Sequence, residues 1–353
     1  MAKVLVAMSG GVDSSVAAAL LVEQGHDVFG VTLHLWDAGP GQAVGRCCAP
    51  EDRDDARKTC EHLGIPHYVL DEREAFREQV IEPFLDSYRG GETPAPCANC
   101  NRTVKLVHLA QLRERFGADW VATGHYAKLD SGVLQQAVDE SKDQTYFLFG
   151  VPKDVLDKTL FPLGAMTKDE VREHGRRLGV PNADKKDSQE LCFVPDGDIA
   201  GFVRRERGPG RPGRMLDEAG EALGEHEGVE AFTIGQRKGL GLGGGPTRYV
   251  LRILGDDVVV GDDDALQAAG CRVGQVHWQE GEPEQPIEVD VRIRHRHPPA
   301  RAWVSPTANG VEVRFAQPQR AVSPGQAAVF YRQGQVLGGG FIEADLDPEG
   351  PRG

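Results

Sequence analysis

Up to about residue 200, short apolar runs alternate with stretches in which apolar residues recur at helical spacing. The apolar runs predict buried strands, and the periodic stretches predict helices that cover them. Strands that alternate with helices indicate an α/β fold, in which a parallel sheet has helices on both faces. The predicted strands cover residues 4–8, 28–33, 67–70 and 120–125, and the predicted helices cover residues 16–22, 51–63, 76–88, 102–115 and 168–178.

After about residue 200 the pattern changes to short apolar runs separated by turn residues. This spacing is typical of antiparallel strands, and the last group predicts a small antiparallel β-barrel. The predicted strands cover residues 231–234, 249–253, 258–260, 287–293, 302–304, 311–315, 327–331 and 341–342. We therefore expect a parallel-sheet domain over residues 1–200, a central β-rich domain over 201–272, a C-terminal β-barrel over 273–345 and a disordered tail over 346–353.

Composition narrows the class of protein further. The 353 residues carry a net charge of −14, which argues against nonspecific nucleic-acid binding but allows local basic surfaces. Two Arg-rich runs, 204–214 and 292–301, are candidates for such surfaces. No segment approaches the ~20 apolar residues of a membrane span, and no targeting segment precedes the first predicted strand. We therefore expect a cytoplasmic protein without membrane contact, more typical of a bacterium than of an organelle.

The loop between the first predicted strand and helix has the sequence Ser9-Gly10-Gly11-Val12-Asp13-Ser14-Ser15. Glycines let the backbone approach a ligand closely, and the first N–H groups of the helix point at an anion. The loop lacks the Gly-Lys-Ser/Thr ending of the usual triphosphate loop. It resembles the SGGxDS pyrophosphate loop, or PP-loop, of ATP pyrophosphatases, which cleave ATP between its α- and β-phosphates. An ordinary strand–turn–helix is the alternative.

Two cysteines stand just before the predicted helix 102–115. Cys97 and Cys100 have the spacing Cys-x-x-Cys, and Arg102 and Lys105 follow them. A thiol near a helix N-terminus and cationic side chains has its thiolate favoured, which indicates a reactive pair. A buried apolar pair and half of a zinc site are the alternatives that the residues leave open.

The other cysteines do not form the pattern of a secreted disulfide framework. Cys192 lies between Leu and Phe, but the polar residues before it are unusual for a plain core segment. We expect Cys60 and Cys271 to be structural. We expect no role for the adjacent pair Cys47 and Cys48.

Further motifs accompany the PP-loop along nearly the whole chain. Together they occur in the order seen in tRNA-specific 2-thiouridylases, and the chain resembles that family. The motifs are Cys100-Asn101-Arg102-x-x-Lys105, Ala122-Thr123-Gly124-His125-Tyr126, Lys142-Asp143-Gln144-x-Tyr146-Phe147-Leu148, Lys186-Asp187-Ser188-Gln189-x-x-Cys192-Phe193, Thr233-Ile234-Gly235-Gln236-Arg237-Lys238-Gly239-Leu240-Gly241, Pro324-Gly325-Gln326 and Leu337-Gly338-Gly339-Gly340.

The resemblance implies ATP-dependent 2-thiolation of the wobble uridine in the tRNAs for lysine, glutamate and glutamine. Transfer of AMP to the C2 oxygen of uracil would make it a good leaving group, and sulfur would then replace it. Cys192 would carry the sulfur as a persulfide received from a sulfur-relay protein or a cysteine desulfurase. Cys100 would be the nucleophilic partner thiol, and a transient Cys100–Cys192 disulfide would result. Cys100 either releases hydrosulfide from the persulfide or resolves an adduct after the persulfide attacks C2.

The resemblance also assigns binding residues. Asp13 would be a catalytic residue that holds Mg²⁺ beside the phosphates. ATP would contact Ala7, Met8, Ser9, Gly10, Gly11, Val12, Asp13, Ser14, Leu33 and Gly124. The tRNA and its target base would contact Ala95, Pro96, Cys97, His125, Lys142, Asp143, Gln144, Arg294, His295 and Gln326.

The chain departs from the family pattern at one place. The family often has Asn-Pro-Asp where this chain has Ala95-Pro96-Cys97. Cys97, Cys100 and Cys192 together offer three thiolates, enough for a [4Fe–4S] cluster that would bind hydrosulfide at an open iron. Two further alternatives are a PP-loop synthetase that uses ammonia or an amino acid, and a noncatalytic tRNA-binding protein with a relic ATP site.

Overall fold

The computed structural model describes residues 1–37, 50–186, 190–243 and 245–346. The expectations for the 38–49 loop with Cys47 and Cys48, for Asp187-Ser188-Gln189 and for the tail after residue 346 lie outside the described residues. The chain divides into two compact units. The first comprises Met1–Val80, Cys97–Gly197 and Gln333–Val336, and the second comprises Ile81–Pro96, Asp198–Arg332 and Leu337–Gly353.

The strands and helices follow one another in the alternation that the first part of the sequence predicts. The strands are β1 (Lys3–Ala7), β2 (Asp27–His34), β3 (His67–Asp71), β4 (Trp120–Ala122), β5 (Lys128–Asp130), β6 (Val133–Gln135), β7 (Thr159–Leu160), β8 (Gly213–Leu216), β9 (Ala222–His226), β10 (Tyr249–Leu254), β11 (Asp257–Gly261), β12 (Gln267–Trp278), β13 (Ile287–Arg292), β14 (Ala300–Thr307), β15 (Gly310–Arg320), β16 (Ala327–Arg332) and β17 (Gln335–Leu346). The α-helices are α1 (Val12–Glu23), α2 (Pro50–Leu63), α3 (Arg73–Phe76), α4 (Glu82–Arg89), α5 (Pro96–Cys100), α6 (Leu106–Arg115), α7 (Lys153–Leu156), α8 (Lys168–Arg177) and α9 (Ile199–Arg207).

The first unit is built on a parallel sheet with the strand order β3-β2-β1-β4-β7. Helix α1 is buried over most of its length. It carries apolar or small residues on all sides, which is typical of a helix in the interior of a domain. Val16 packs on the α8 side of this helix, and Ala18 packs toward β1 and β2. The predicted α/β fold is confirmed, and among the described residues no helix has the length and apolarity that a membrane crossing needs.

Two predicted helices differ from the structure because each contains a π-helical turn. The predicted helix 102–115 begins earlier, at Pro96, whose fixed φ suits the first turn of a helix, and continues through a π-helical turn over Asn101–Lys105. The predicted helix 76–88 begins at Arg73 and has its π-helical turn at Arg77–Ile81. Such turns are often found at functional sites.

In the second unit, a four-stranded sheet with the order β10-β11-β8-β9 forms the centre of the β-rich segment. Its core contains Met215, Val250 and Val258. The predicted strand 231–234 is wrong. A short 3₁₀ turn at Val229–Ala231 precedes it, and the Gln236 side chain bonds the backbone of this segment, which buries Phe232 without strand pairing.

The C-terminal strands of the second unit form an antiparallel sheet in the order β12-β15-β14-β13-β16-β17, and β12 pairs with β17 to close it into a six-stranded barrel. The predicted barrel is confirmed, with apolar side chains such as Val313 and Phe330 filling its interior. The predicted boundary at 272/273 falls inside β12, and the boundary at 200/201 falls inside α9. Leu346, predicted to be in the tail, still pairs with Gly270 as the last residue of β17.

Candidate functional site

The PP-loop connects β1 to α1 in the first unit. Gly10 takes a positive φ of 75°, which a residue with a side chain rarely adopts. The Ser14 hydroxyl donates to the Gly11 carbonyl at 3.0 Å and accepts from the Ser9 N–H at 3.2 Å, so the loop is tied to the start of α1. Gly11 is the N-cap and has no side chain to cover the first N–H groups of the helix. The loop therefore has the construction of an anion cradle.

Gly124, just after β4, lies directly against the start of α1. A Cβ atom at Gly124 would stand 2.6 Å from the Ser14 nitrogen and 2.7 Å from the Asp13 carbonyl carbon. Leu33 lies near the end of β2, the strand on the other side of β1. The structure thus brings the predicted ATP-binding residues to the carboxyl edge of three neighbouring parallel strands, where such sheets bind ligands.

Asp13 is held by two side chains that the sequence did not single out for it. Lys168, the first residue of α8, donates to both Asp13 oxygens at 2.7 and 2.9 Å, and the Tyr126 hydroxyl donates to Oδ1 at 2.8 Å. A carboxylate already paired with an ammonium group does not fit the predicted role as a Mg²⁺ ligand. In this structure Asp13 orders the loop together with Lys168.

His125 is half-buried in the first unit. Its Nδ1 lies 2.7 Å from the Thr123 hydroxyl, and its ring packs edge-on against Phe161. Burial, with a smaller contribution from the charge of Lys105, lowers the pKa of His125 to about 3. The imidazole is therefore neutral at physiological pH and acts as a hydrogen-bonding group.

The predicted tRNA-contacting turn Lys142-Asp143-Gln144 is largely an internal structural element. Asp143 is 2% exposed and accepts hydrogen bonds from the Thr145 hydroxyl and the Ala137 N–H. The Gln144 side chain accepts from the Tyr126 N–H at 2.9 Å. This turn therefore supports Tyr126 and, through it, Asp13.

The three candidate cysteines differ in burial. Cys97 is exposed, Cys100 is buried and Cys192 is half-buried, and none of them is in a disulfide. Because the helix begins at Pro96, Cys97 and Cys100 lie within its first five residues rather than before it, and the predicted effect of the helix dipole on the Cys100 thiol stays a prediction. Cys60 and Cys271 are fully buried as predicted, and burial raises the pKa of the Cys60 thiol to about 12.

The segments that carry Cys100 and Cys192 are anchored to the same short helix. The Phe193 ring packs edge-on against Phe76 of α3, with ring centres 5.9 Å apart. Asn99 donates from Nδ2 to the Gln79 carbonyl in the π-helical turn that continues α3. The residues beside the two cysteines therefore contact one helical stretch, at two positions that are three residues apart.

The described residues form no site for a single metal ion. Among residues 1–37, 50–186, 190–243 and 245–346, no three Cys, His, Asp or Glu side chains are placed to hold one metal ion. Cys97, Cys100 and Cys192 are all described and belong to no such group. The [4Fe–4S] ligand set that the three cysteines would supply, and a zinc half-site at Cys97 and Cys100, stay predictions.

In the second unit, Gln326 supports the segment that leads to Cys97. Its side-chain amide donates to the carbonyl oxygens of Thr93 at 2.9 Å and Pro94 at 3.2 Å. The Thr93 N–H donates in turn to the Pro324 carbonyl. Gln326, predicted to contact tRNA, thus uses its amide to shape the backbone before Ala95 and Pro96.

Much of the positive charge in the predicted basic runs is neutralised within the second unit. Arg294 donates to the Arg320 carbonyl, and it precedes His295 in the connection between β13 and β14. The arginines with carboxylate partners are Arg204 with Glu230 and Glu227, Arg207 with Glu82 and Asp86, Arg214 with Asp257, and Arg301 with Glu288.

Several residues at the PP-loop were not predicted as site residues. Asn182 and Lys185 donate to the Gly10 carbonyl, and Asp52 pairs with Lys185. Lys185 and Tyr126 are next to or within motifs, but no local pattern marks Asn182, Asp52 or Lys168. Only the packing of α2 and α8 beside α1 brings them to the loop.

Family models match three successive segments of the chain. The model described as tRNA methyl transferase HUP domain matches residues 2–196. The tRNA methyl transferase PRC-barrel domain matches residues 201–262, and the aminomethyltransferase beta-barrel domain matches residues 268–342. The parallel sheet, the glycine–serine loop and the HUP match define a PP-loop nucleotide-binding enzyme.

The relatives make the assignment more specific. The tRNA-specific 2-thiouridylase MnmA of Sorangium cellulosum is 49% identical over 98% of this chain and 93% of its own length. The enzyme of the same name from Heliobacterium modesticaldum is 46% identical with the same coverage. Among solved structures, NMN synthetase from Francisella tularensis aligns over 53% of this chain and 66% of that chain, at 22% identity and a TM-score of 0.33. The chain belongs to the tRNA-specific 2-thiouridylase family, a family of sulfurtransferases.

The contact of Gly124 with α1 generates a first prediction. Gly124→Ala places a methyl group inside van der Waals contact of Ser14 and Asp13, and overpacking of this kind costs on the order of 1–3 kcal/mol. We expect ATP affinity, measured by isothermal titration, to fall about tenfold. Gly243→Ala is the control because its Cβ meets nothing within 4 Å, and it should leave ATP affinity unchanged. Equal affinities of both variants would contradict the close contact.

The lowered pKa of His125 predicts a pH dependence of stability. The unfolded state binds a proton near the ordinary pKa of 6.5 and the folded state only near about 3, so stability falls as the pH drops below about 6.5. His125→Gln keeps a hydrogen-bonding side chain without this titration. In urea unfolding at about pH 7.5 and about pH 5, we expect the variant to lose less stability than the wild type. An identical loss would show that His125 is not buried as a neutral ring.

Proposed function

We propose that this protein thiolates C2 of the wobble uridine in the tRNAs for lysine, glutamate and glutamine, using ATP and a cysteine persulfide. The observation that carries the proposal is the anchoring of two reactive-cysteine segments on one helical stretch, in the same unit as the PP-loop. Phe193, next to Cys192, and Asn99, next to Cys100, are held three positions apart on that stretch. Ammonia-dependent synthetases have no use for such a thiol pair.

The first step activates the C2 oxygen of uracil. This oxygen is a poor leaving group, so it first attacks the α-phosphorus of ATP. A C2–O–P bond forms, the bond to pyrophosphate breaks, and the N3 proton is released. The N–H groups at the start of α1 bind the departing phosphates, and the ordered Asp13–Lys168 pair keeps the loop in shape.

The second step replaces the activated oxygen by sulfur. If the terminal sulfur of the Cys192 persulfide attacks C2, the C–O bond breaks and AMP leaves with the oxygen. The Cys100 thiolate then attacks the Cys192 sulfur, so the product keeps the terminal sulfur and a Cys100–Cys192 disulfide forms. If Cys100 attacks first, it releases hydrosulfide, which attacks C2, and the same disulfide results. In both orders a thiol reductant restores the two cysteines.

The partners follow from this chemistry. A persulfide-bearing protein, either a sulfur-relay protein or a cysteine desulfurase, reloads Cys192, which is half-buried and therefore reachable. The tRNA places its unstacked uridine beside the segment Thr93–Asn99, because the base must leave its stack to react. Ala95, Pro96 and the exposed Cys97 lie in that segment, and Arg294 and His295 contact RNA phosphates.

The cysteine roles predict separable defects. With ATP, tRNA and a persulfide donor, Cys192→Ser should release pyrophosphate on adenylating the tRNA yet form no 2-thiouridine, measured by nucleoside mass spectrometry. Cys271→Ala is the control, since Cys271 is buried in the barrel core, and it should retain thiolation. Cys100→Ser should trap tRNA on Cys192 if the persulfide attacks first, and should yield no adduct if hydrosulfide is released. If the Cys192→Ser variant formed as much 2-thiouridine as the wild type, the proposal would be overturned.

The hydrogen bonds from Gln326 predict a loss of kcat/KM for tRNA without a loss of ATP affinity. Gln326→Glu replaces the donating amide by a carboxylate facing two carbonyl oxygens, so the Thr93–Pro94 backbone should move. We expect kcat/KM for tRNA to fall on the order of tenfold, while ATP affinity stays at the wild-type value. Gln319→Glu is the control, since Gln319 donates to the Gln317 carbonyl on its own strand, β15. Equal kcat/KM values for both variants would contradict the positioning role of Gln326.

A further inference from the structure

Lys185 lies at the centre of a polar cluster behind the PP-loop. Its Nζ donates to the Gly10 carbonyl at 3.0 Å, to Asp52 at 2.5 Å and to Asp55 at 2.6 Å. Asn182 donates to the same Gly10 carbonyl at 2.9 Å. One carbonyl oxygen of the loop is therefore held by an ammonium group and an amide together.

The orientation of this carbonyl decides where the next N–H group points. The peptide bond is planar and trans, so the Gly11 N–H is directed to the side opposite the Gly10 oxygen. Lys185 and Asn182 fix the oxygen on the inner side, toward α2, and the Gly11 N–H then faces away from them. Gly11 is also the N-cap of α1, so this N–H adds to the anion cradle at the helix start.

The backbone of α2 packs closely against the inner side of the loop. A Cβ atom at Gly10 would stand 2.0 Å from the Asp52 carbonyl oxygen, so the first turn of α2 presses directly on the loop. Asp52 is 5% exposed, and burying its carboxylate there requires a cation. Burial opposes the charge on Lys185, but Asp52 and Asp55 outweigh it and raise the pKa of its ammonium group.

Lys185 also belongs to the segment that carries the sulfur cysteine. It precedes Cys192 by seven residues, and Arg172 of α8 donates to the Lys185 and Ala183 carbonyls at 3.1 and 3.2 Å. The backbone of this segment is thus fixed to α8 while its lysine reaches the PP-loop. Lys185 and Asn182 therefore connect the phosphate cradle with the chain that leads to Cys192.

We propose that Lys185 is a positioning residue for the adenylation step, holding the Gly10–Gly11 peptide so that its N–H faces the nucleotide phosphates. This inference rests on the proposed use of ATP, and it adds a residue that touches neither nucleotide nor tRNA. Because the Gly11 N–H meets negative charge that grows as pyrophosphate leaves, its loss raises the KM for ATP and lowers kcat for adenylation.

The test compares Lys185→Met with Lys58→Met, the same change at an exposed lysine of α2 that belongs to no motif. We expect Lys185→Met to lower kcat/KM for ATP in pyrophosphate release by on the order of 10- to 100-fold, the range for a hydrogen bond from a charged group. Lys58→Met removes only an exposed surface pair with Asp54 and should stay within about twofold of the wild type. A Lys185→Met enzyme with the wild-type kcat/KM would overturn the inference.

A second variant separates positioning from folding. Lys185→Met leaves Asp52 buried without its cation, whereas the double variant Asp52→Asn, Lys185→Met removes both charges and should recover the wild-type urea midpoint. We expect the double variant to keep the adenylation defect although its urea midpoint is restored. If kcat/KM returned to the wild-type value together with the urea midpoint, the inference would be overturned. Wild-type protein that shows no ATP affinity or no thiolation would instead refute the proposed function.

Discussion

The nucleotide half of the site depends on backbone atoms that approach other backbone atoms more closely than any side chain would allow. At Gly10 the neighbour is the Asp52 carbonyl on α2, and at Gly124 it is the first turn of α1. These contacts fix the path of the PP-loop between β1 and α1, and hydrogen bonds from Ser14 and Lys185 then set the direction of its peptide groups. Phosphate binding by backbone N–H groups needs this order before the ligand arrives.

The segments that carry the two candidate cysteines share a different support, the short helical stretch that begins with α3. Phe193 and Asn99 bind it through a ring contact and a hydrogen bond, and each is the neighbour of a candidate cysteine. Cys192 is half-buried and Cys97 is exposed, whereas Cys60, enclosed in a core, has its thiol pKa raised to about 12. Burial therefore separates Cys192 and Cys97 from the thiol of Cys60.

Several residues expected to contact tRNA or a metal are engaged inside the protein. Asp143 is buried and bonded to Thr145, Gln326 shapes the Thr93–Pro94 backbone, and Asp13 is paired with Lys168. A motif shows that a residue type is needed at a position. It does not show whether that residue contacts a ligand or supports the protein from inside. The assignment of such residues changes once their partners are known.

The sequence by itself determined the α/β unit, the PP-loop, the barrel and the family, because these follow from local periodicity and contiguous motifs. It did not determine where helix and domain boundaries fall: the π-helical turn after Cys100 and the early start of β12 depend on partners far along the chain. Only the tertiary structure decided that Lys185, Asn182 and Asp52 converge on Gly10. Their charges and amides act through space, and α2 and α8 bring them together from positions more than a hundred residues apart.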